Sequence, residues 1–238
     1  LKDNIWKYQA LAFLSWFLLI MPILVLFYQE NGLSLTQILL IQSAFALTIV
    51  FCEIPSGYFA DRYGRKKSIV IGAILATLGI WIYAFSSDFY SFLVAEIIMG
   101  VGSSFISGAD TALIYDTLLT LKKTDQFKSI EGKRQTIQSF SEGSAAIFGG
   151  LLAVISLRTP IVANAAILSL SIPIVLSLKE PPRAKNLRQK SHLQHITELT
   201  KYLGQDYSGL RWLITYAGVL GSGTLLITWL YQPYMKLV

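Results

Sequence analysis

Five carboxylic acids stand inside or at the ends of long apolar runs: Glu53, Glu96, Asp110, Asp116 and Glu142. A charge at mid-bilayer costs at least ~2.5–3.5 kcal/mol on insertion scales, so such a residue belongs against a bundle interior or a watery cavity, where it carries a proton or meets a cation. At about 100° per residue, Glu96, Gly100, Ser103, Ser107 and Asp110 share one face of a continuous helix, with Asp116 on its far side. Gln42 and Glu53 differ by only about 20° on theirs. Gln135, Gln138 and Glu142 follow one another at a spacing of three to four. Three such stripes are what a hydrated central cavity needs. Glu53, Asp110 and Glu142 are its expected acids, one of them carrying a coupling proton or meeting a cationic substrate. The bland alternative for each acid singly is a capped or protonated packing residue. Trp16, with Phe13, Phe17, Phe45 and Trp229, could touch an apolar ligand, although packing or interfacial anchoring is the ordinary role of such rings.

The elements that must position these groups are membrane helices. The 238 residues are 53% hydrophobic and 14% charged, well below the quarter or so of charged residues in soluble domains. Residues 8–29, 31–52, 68–87, 159–178 and 212–235 contain no Asp, Glu, Lys or Arg. Each is about the length a membrane-spanning helix requires. The runs are too long, and lack the alternation, for a barrel. We therefore read an all-α polytopic membrane bundle with seven spans, at about 6–28, 34–60, 67–86, 89–119, 135–157, 159–178 and 209–235. Pro22 and Pro173 are expected to kink the first and sixth. Gly100, Ser104 and Gly108 read as a close-packing series.

Charge placement fixes the topology. All of the 20 Lys and Arg except Arg158 and Lys236 fall before the first span or in the loops after the second, fourth and sixth. The positive-inside rule puts those loops and the N-terminus in the cytoplasm. The net charge of +6 is thus a topology signal, and nucleic acid is not an expected partner. One cysteine, Cys52, excludes an internal disulfide. His192 and His195 have no companion ligands nearby, so neither a metal nor a cofactor is expected. No arrangement of nucleophile, base and acid suggests an enzyme. Lys179-Glu180-Pro181-Pro182 ends the sixth span and opens a polar stretch, with a short surface helix expected over 196–203. The expected domains are a six-helix bundle (1–178), a cytoplasmic linker (179–208) and one further helix (209–238). Leu1 is not an initiator methionine, so residues are expected to precede it.

The loop after the second span reads Gly57-Tyr-Phe-Ala-Asp61-Arg62-Tyr-Gly64-Arg65-Lys66-Lys67. It resembles the G-x-x-x-D-[RK]-x-G-[RK]-[RK]-[RK] loop of the major facilitator superfamily of secondary transporters, matching every specified position between the expected spans two and three. Physical reasons accompany the residue types. Gly57 permits close helix approach, and Gly64 permits the positive φ of a tight reversal. Asp61 could face the positive end of a neighbouring helix. Arg65 suits a bidentate carboxylate pair, while Arg62, Lys66 and Lys67 anchor in headgroups.

The resemblance implies a six-helix N-terminal half built of two inverted three-helix repeats, followed by the first helix of a second half whose helices 8–12 lie outside this sequence. It also implies that Asp61, Arg65 and Asp116 form a cytoplasmic latch. Two further family patterns fit poorly. Glu96 stands where proton-driven members often carry an arginine, and Ser141–Gly150 keeps the final glycine pair of the drug-antiporter motif without its Gly-Pro. The implied function is alternating-access transport of a small molecule, with proton-coupled efflux of an amphipathic compound or drug favoured. Uptake of a nutrient by proton symport or facilitated diffusion is the rival within transport; a non-transporting assembly protein is the rival outside it. The expected setting is the lipid bilayer of a bacterial inner membrane.

Overall fold

The computed structural model describes residues 1–182 and 208–237. Every regular element among them is helical: α1 (Asp3–Trp16), α2 (Leu24–Glu30), α3 (Leu35–Tyr63), α4 (Arg65–Phe85), α5 (Phe89–Ile106), α6 (Ala109–Thr120), α7 (Phe127–Ala153), α8 (Arg158–Ser169), α9 (Ser171–Ser177) and α10 (Ser208–Leu237), with short 3-10 turns at Met21–Ile23 and Thr124–Gln126. Five stretches are long and apolar enough to cross a membrane: Asp3–Glu30, Leu35–Tyr63, Arg65–Phe85, Phe89–Thr120 and Arg158–Ser177. Residues 1–183 form one compact unit and 184–238 a second, in which α10 is a 30-residue helix. The histidine pair and the helix expected over 196–203 lie outside the described residues, as does most of the expected linker.

Two helix starts follow side-chain caps. Ser34 opens α3 and Asp88 opens α5, each through a reciprocal capping box, with Gln37 and Ser91 respectively. The hydroxyl of Ser91, together with its backbone N–H, holds the Asp88 carboxyl below the usual carboxylate range.

Three expected spans are interrupted. The first unwinds over 17–20, just before Pro22, which sits in the Met21–Ile23 turn. Gly149 of α7 is pressed against this break, so closely that a Cβ there would strike the Leu19 carbonyl oxygen. The fourth breaks at Ser107-Gly108, where Gly108 takes φ +71°. Gly108 is therefore a corner; a Cβ on it meets nothing within 4 Å, which corrects its assignment to the packing series. The sixth breaks at Leu170, leaving Pro173 in the first turn of α9, where its missing N–H costs little.

The fifth differs in extent: α7 starts at Phe127, earlier than the expected 135, because Lys128, Glu131, Lys133 and Arg134 belong to its first two turns and not to a loop. It is not among the five long apolar stretches.

Glycines also bring α4 and α5 together backbone to backbone. A Cβ on Gly72 of α4 would lie 2.6 Å from the Gly102 carbonyl oxygen of α5, and one on Gly102 would lie 2.7 Å from the Ala76 nitrogen. Gly100 presses the opposite side of α5 against Phe45 and Thr48 of α3, as its place in the small-residue series implied. At the basic end of the bundle, Ala60, Ile69, Ala73, Ala109, Leu113, Val175 and Leu178 form a buried apolar cluster.

Candidate functional site

The chain reverses between α3 and α4 on the single residue Gly64, at φ +131° and ψ +134°, a conformation side-chain-bearing residues avoid. That sharp reversal aims Arg65 across at α6. Its guanidinium pairs with the Asp116 carboxylate and donates to the Ala112 carbonyl. Arg65 and Asp116 are each about one-fifth exposed, so the pair is partly shielded from water. The backbone N–H groups of Arg65 and Lys66 donate to the two carboxylate oxygens of Glu180, at 3.0 and 2.7 Å. Glu180 thus occupies the positive N-terminus of α4, an arrangement the sequence reading missed; the acid just before a Pro-Pro stop was its only signal.

The other motif residues are placed as follows. Asp61 is exposed on the last turn of α3. Arg62 donates to the Tyr58 hydroxyl at 2.8 Å and lies over the Tyr58 and Tyr63 rings. Lys66 is half-buried and Lys67 exposed. Gly57 does not mediate a close approach within this unit, since a Cβ there meets nothing within 4 Å. The same end of the bundle is tied to α1. Asn4 donates to Thr117 and to the Lys179 carbonyl and accepts from the Lys179 N–H, while the buried Lys7 ammonium donates to the Ser177 carbonyl at 2.7 Å.

The candidate cavity acids separate into distinct environments. Asp110 is held by Arg134 of α7, Nη2 to Oδ2 at 2.9 Å. Arg134 also reaches Glu131 and lies over the Tyr8 ring, its Cζ 5.0 Å from the ring centroid. Tyr8 in turn donates to Glu131 at 2.6 Å. This network joins α1, α6 and α7, and it was missed because Arg134 was counted as a loop cation. Glu53 is exposed and accepts from Ser107, the residue at the α5–α6 break, at 3.3 Å. Glu142 is exposed on α7, next to the buried Ser141, whose hydroxyl donates to the Phe13 carbonyl. Gln138 is buried on the same helix, and Trp16 is 41% exposed at the end of α1.

Glu96 is 5% exposed and lies elsewhere. It accepts from the Tyr28 hydroxyl at 3.1 Å and from Gln42 Nε2 at 3.2 Å. The expected single face carrying both Glu96 and Asp110 is therefore corrected: the corner at Gly108 puts them on two helices and in two clusters. Gln42 likewise belongs with Glu96, not with Glu53, because eleven residues of α3 separate Gln42 and Glu53 by roughly 16 Å along the axis. Among the described residues, no group of three or more His, Cys, Asp or Glu is placed to hold a metal ion.

A bundle of apolar spans, reversed on a glycine and a basic run and tied by a partly shielded arginine–aspartate pair, defines an integral multi-pass membrane protein. The chain belongs to the Major Facilitator Superfamily, whose family model matches residues 6–237. It is 28% identical over 163 residues to Multidrug resistance protein 2 of Bacillus subtilis, an alignment covering 68% of this chain and 40% of that protein. It is 27% identical over 142 residues to Quinolone resistance protein NorA of Staphylococcus aureus, covering 60% and 36% respectively. An uncharacterised transporter of the same superfamily type from Methanocaldococcus jannaschii is 34% identical over 88 residues, 37% of this chain and 23% of that one. The matched part of the chain thus covers 40% or less of the length of these relatives.

Proposed function

We propose that the chain is the N-terminal half, with the first helix of the second, of a secondary transporter that exports a small amphipathic molecule in exchange for protons moving down their gradient. The observation that carries this reading is the Arg65–Asp116 pair, set by the Gly64 reversal at the end where the cations gather. In this reading that end is cytoplasmic, by the positive-inside rule. Asp61, exposed on the last turn of α3 at the same end, is in this reading a group that meets the second half when the inner side closes. Substrate binds near the midplane between halves, and rocking of one half on the other exposes it to alternate sides. Export of a drug-like compound is supported by the names of two relatives, which concern multidrug and quinolone resistance.

Glu53 and Glu142 are the acids this reading assigns to the cavity, since both are exposed from the half-bundle; Asp110, held by Arg134, serves instead to position α7. Proteoliposomes containing the intact protein, a fluorescent quinolone and an imposed pH gradient test the proposal. Gradient-driven accumulation is expected. Absence of both accumulation and counterflow would overturn it.

A further inference from the structure

Glu96 has a surrounding unlike that of the other acids in the bundle. It lies seven residues into α5, and Gln42 lies seven residues into α3, so each is roughly 10 Å along its helix from the end opposite the basic loops. The groups packed about it come from four helices: Tyr28 from α2, Gln42 from α3, Tyr83 from α4, and Phe92 from α5 itself. The rings of Tyr28, Tyr83 and Phe92 lie 5.0–5.5 Å apart by centroid. The titratable groups facing Glu96 are therefore two phenols. Among the described residues no cation pairs with it, whereas Asp110 and Asp116 each hold an arginine. Both of its donors, the Tyr28 hydroxyl and Gln42 Nε2, converge on one oxygen, Oε1. Two bonds accepted at one oxygen suit the carbonyl of a carboxylic acid; the other oxygen is then free to carry the proton. Gln42 is only half-buried and also donates to the Tyr28 hydroxyl at 3.3 Å, so it links the buried acid to the more open side of α3.

We propose that Glu96 is a proton-exchange site in the outer half of the bundle, in contact with the outer medium by way of Gln42 while the Arg65–Asp116 clasp is closed. Loss of the proton leaves a carboxylate that draws both donors more tightly, shifting Tyr28 and Gln42 and through them α2 and α3. The coupling part of this inference rests on the transporter reading; the binding of the proton does not.

Two measurements on the intact protein separate these parts. Infrared difference spectra across a pH series, recorded in lipid nanodiscs, should show a carboxylic C=O band converting to carboxylate and disappearing in Glu96→Gln. A band unchanged by that substitution overturns the proposal, whether or not transport is seen. In proteoliposomes, Glu96→Gln should lose gradient-driven quinolone accumulation while retaining counterflow; unchanged accumulation also overturns the proposal. A wild type without any flux would sink the transporter reading alone, and the infrared result would still decide on Glu96. Where Glu96→Gln fails to reach the membrane, Tyr28→Phe and Gln42→Ala serve, each of which should move the pH midpoint of the band; an unmoved midpoint overturns the proposal.

Discussion

Arg134 stands between two acids on two helices, bonded to Asp110 of α6 at 2.9 Å and to Glu131 of its own α7 at 3.4 Å, while its guanidinium covers the Tyr8 ring of α1. One cation thereby joins two consecutive helices to α1, more than a hundred residues earlier in the chain. The Asp110–Arg134 side chains are 18% and 24% exposed, so the pair is shielded more than a surface ion pair and less than a fully buried one. Asp110→Asn should lower apparent stability by about 1–3 kcal/mol, between the surface and buried limits. The double variant Asp110→Asn with Arg134→Gln should cost less than the two single losses summed. Thermal melting of the purified protein in one fixed detergent checks both; strict additivity would refute the coupling.

The α4–α5 contact makes a sharper stability prediction. Gly102→Ala puts a Cβ 2.7 Å from the Ala76 backbone nitrogen, and backbone on both sides has nowhere to yield. Overpacking of this kind costs about 1–3 kcal/mol. Gly143→Ala, with nothing within 4 Å of its Cβ, is the matched control and should be neutral or slightly stabilising in mid-helix. Melting curves of the two variants should separate accordingly.

The clasp predicts a change in accessibility. Cys52 is the only cysteine in the sequence, so Cys52→Ser gives a clean background for a reporter cysteine at Ala112, whose carbonyl Arg65 occupies. Loss of a partly exposed pair is worth about 1 kcal/mol, or roughly fivefold in an opening equilibrium. Asp116→Asn should therefore raise the alkylation rate at position 112 about fivefold, and Arg65→Lys should fall between the variant and the wild type, because an ammonium keeps the charge but not the fixed planar geometry of the guanidinium.

Orientation is tested with the same background. Cysteines replacing Lys67 and Lys122 should react with a membrane-impermeant maleimide only after permeabilisation, and one replacing Asn31 should react in intact cells. Labelling of position 67 from outside would invert the assigned topology and remove the cytoplasmic setting of the clasp.

The Asp88 cap predicts a pH dependence. Its carboxyl is held below the ordinary range by Ser91, so the charged form is favoured by folding. The sign follows: the cap's contribution is fully present above the unfolded carboxylate range and is lost as pH falls through the folded value. Amide exchange at Tyr90 and Ser91, corrected for its intrinsic rate, should accelerate on acidification. Asp88→Asn, which keeps a capping oxygen, should remove that pH dependence.

Four of the five long apolar stretches were legible from the sequence because a charge-free run of about twenty residues has few other readings. The pairing of Arg65 with Asp116 was legible too, through the motif. What escaped was the interruption of helices. Pro22 marked a kink, but the unwinding falls at 17–20, where α7 presses through Gly149. Gly108 looked like one more small residue at a helix contact, since glycine serves close packing and positive φ equally well. Without that corner, helical periodicity placed Glu96 and Asp110 on one face. Arg134 and Glu131 escaped because a charge-dense first turn and a loop have the same composition. Glu180 escaped because capping of α4 by a residue 115 positions away leaves no local pattern.

The corner at Gly108 has a mechanical meaning. A span built as two rods, one rooted beside Glu96 and the other beside Asp116, transmits torque poorly from rim to rim. The lower rod can tilt with its clasp while the upper one stays seated on α4 through Gly102. In the transport cycle proposed above, the two mouths then need not move in lockstep, and the joint between them is where their timing would be set.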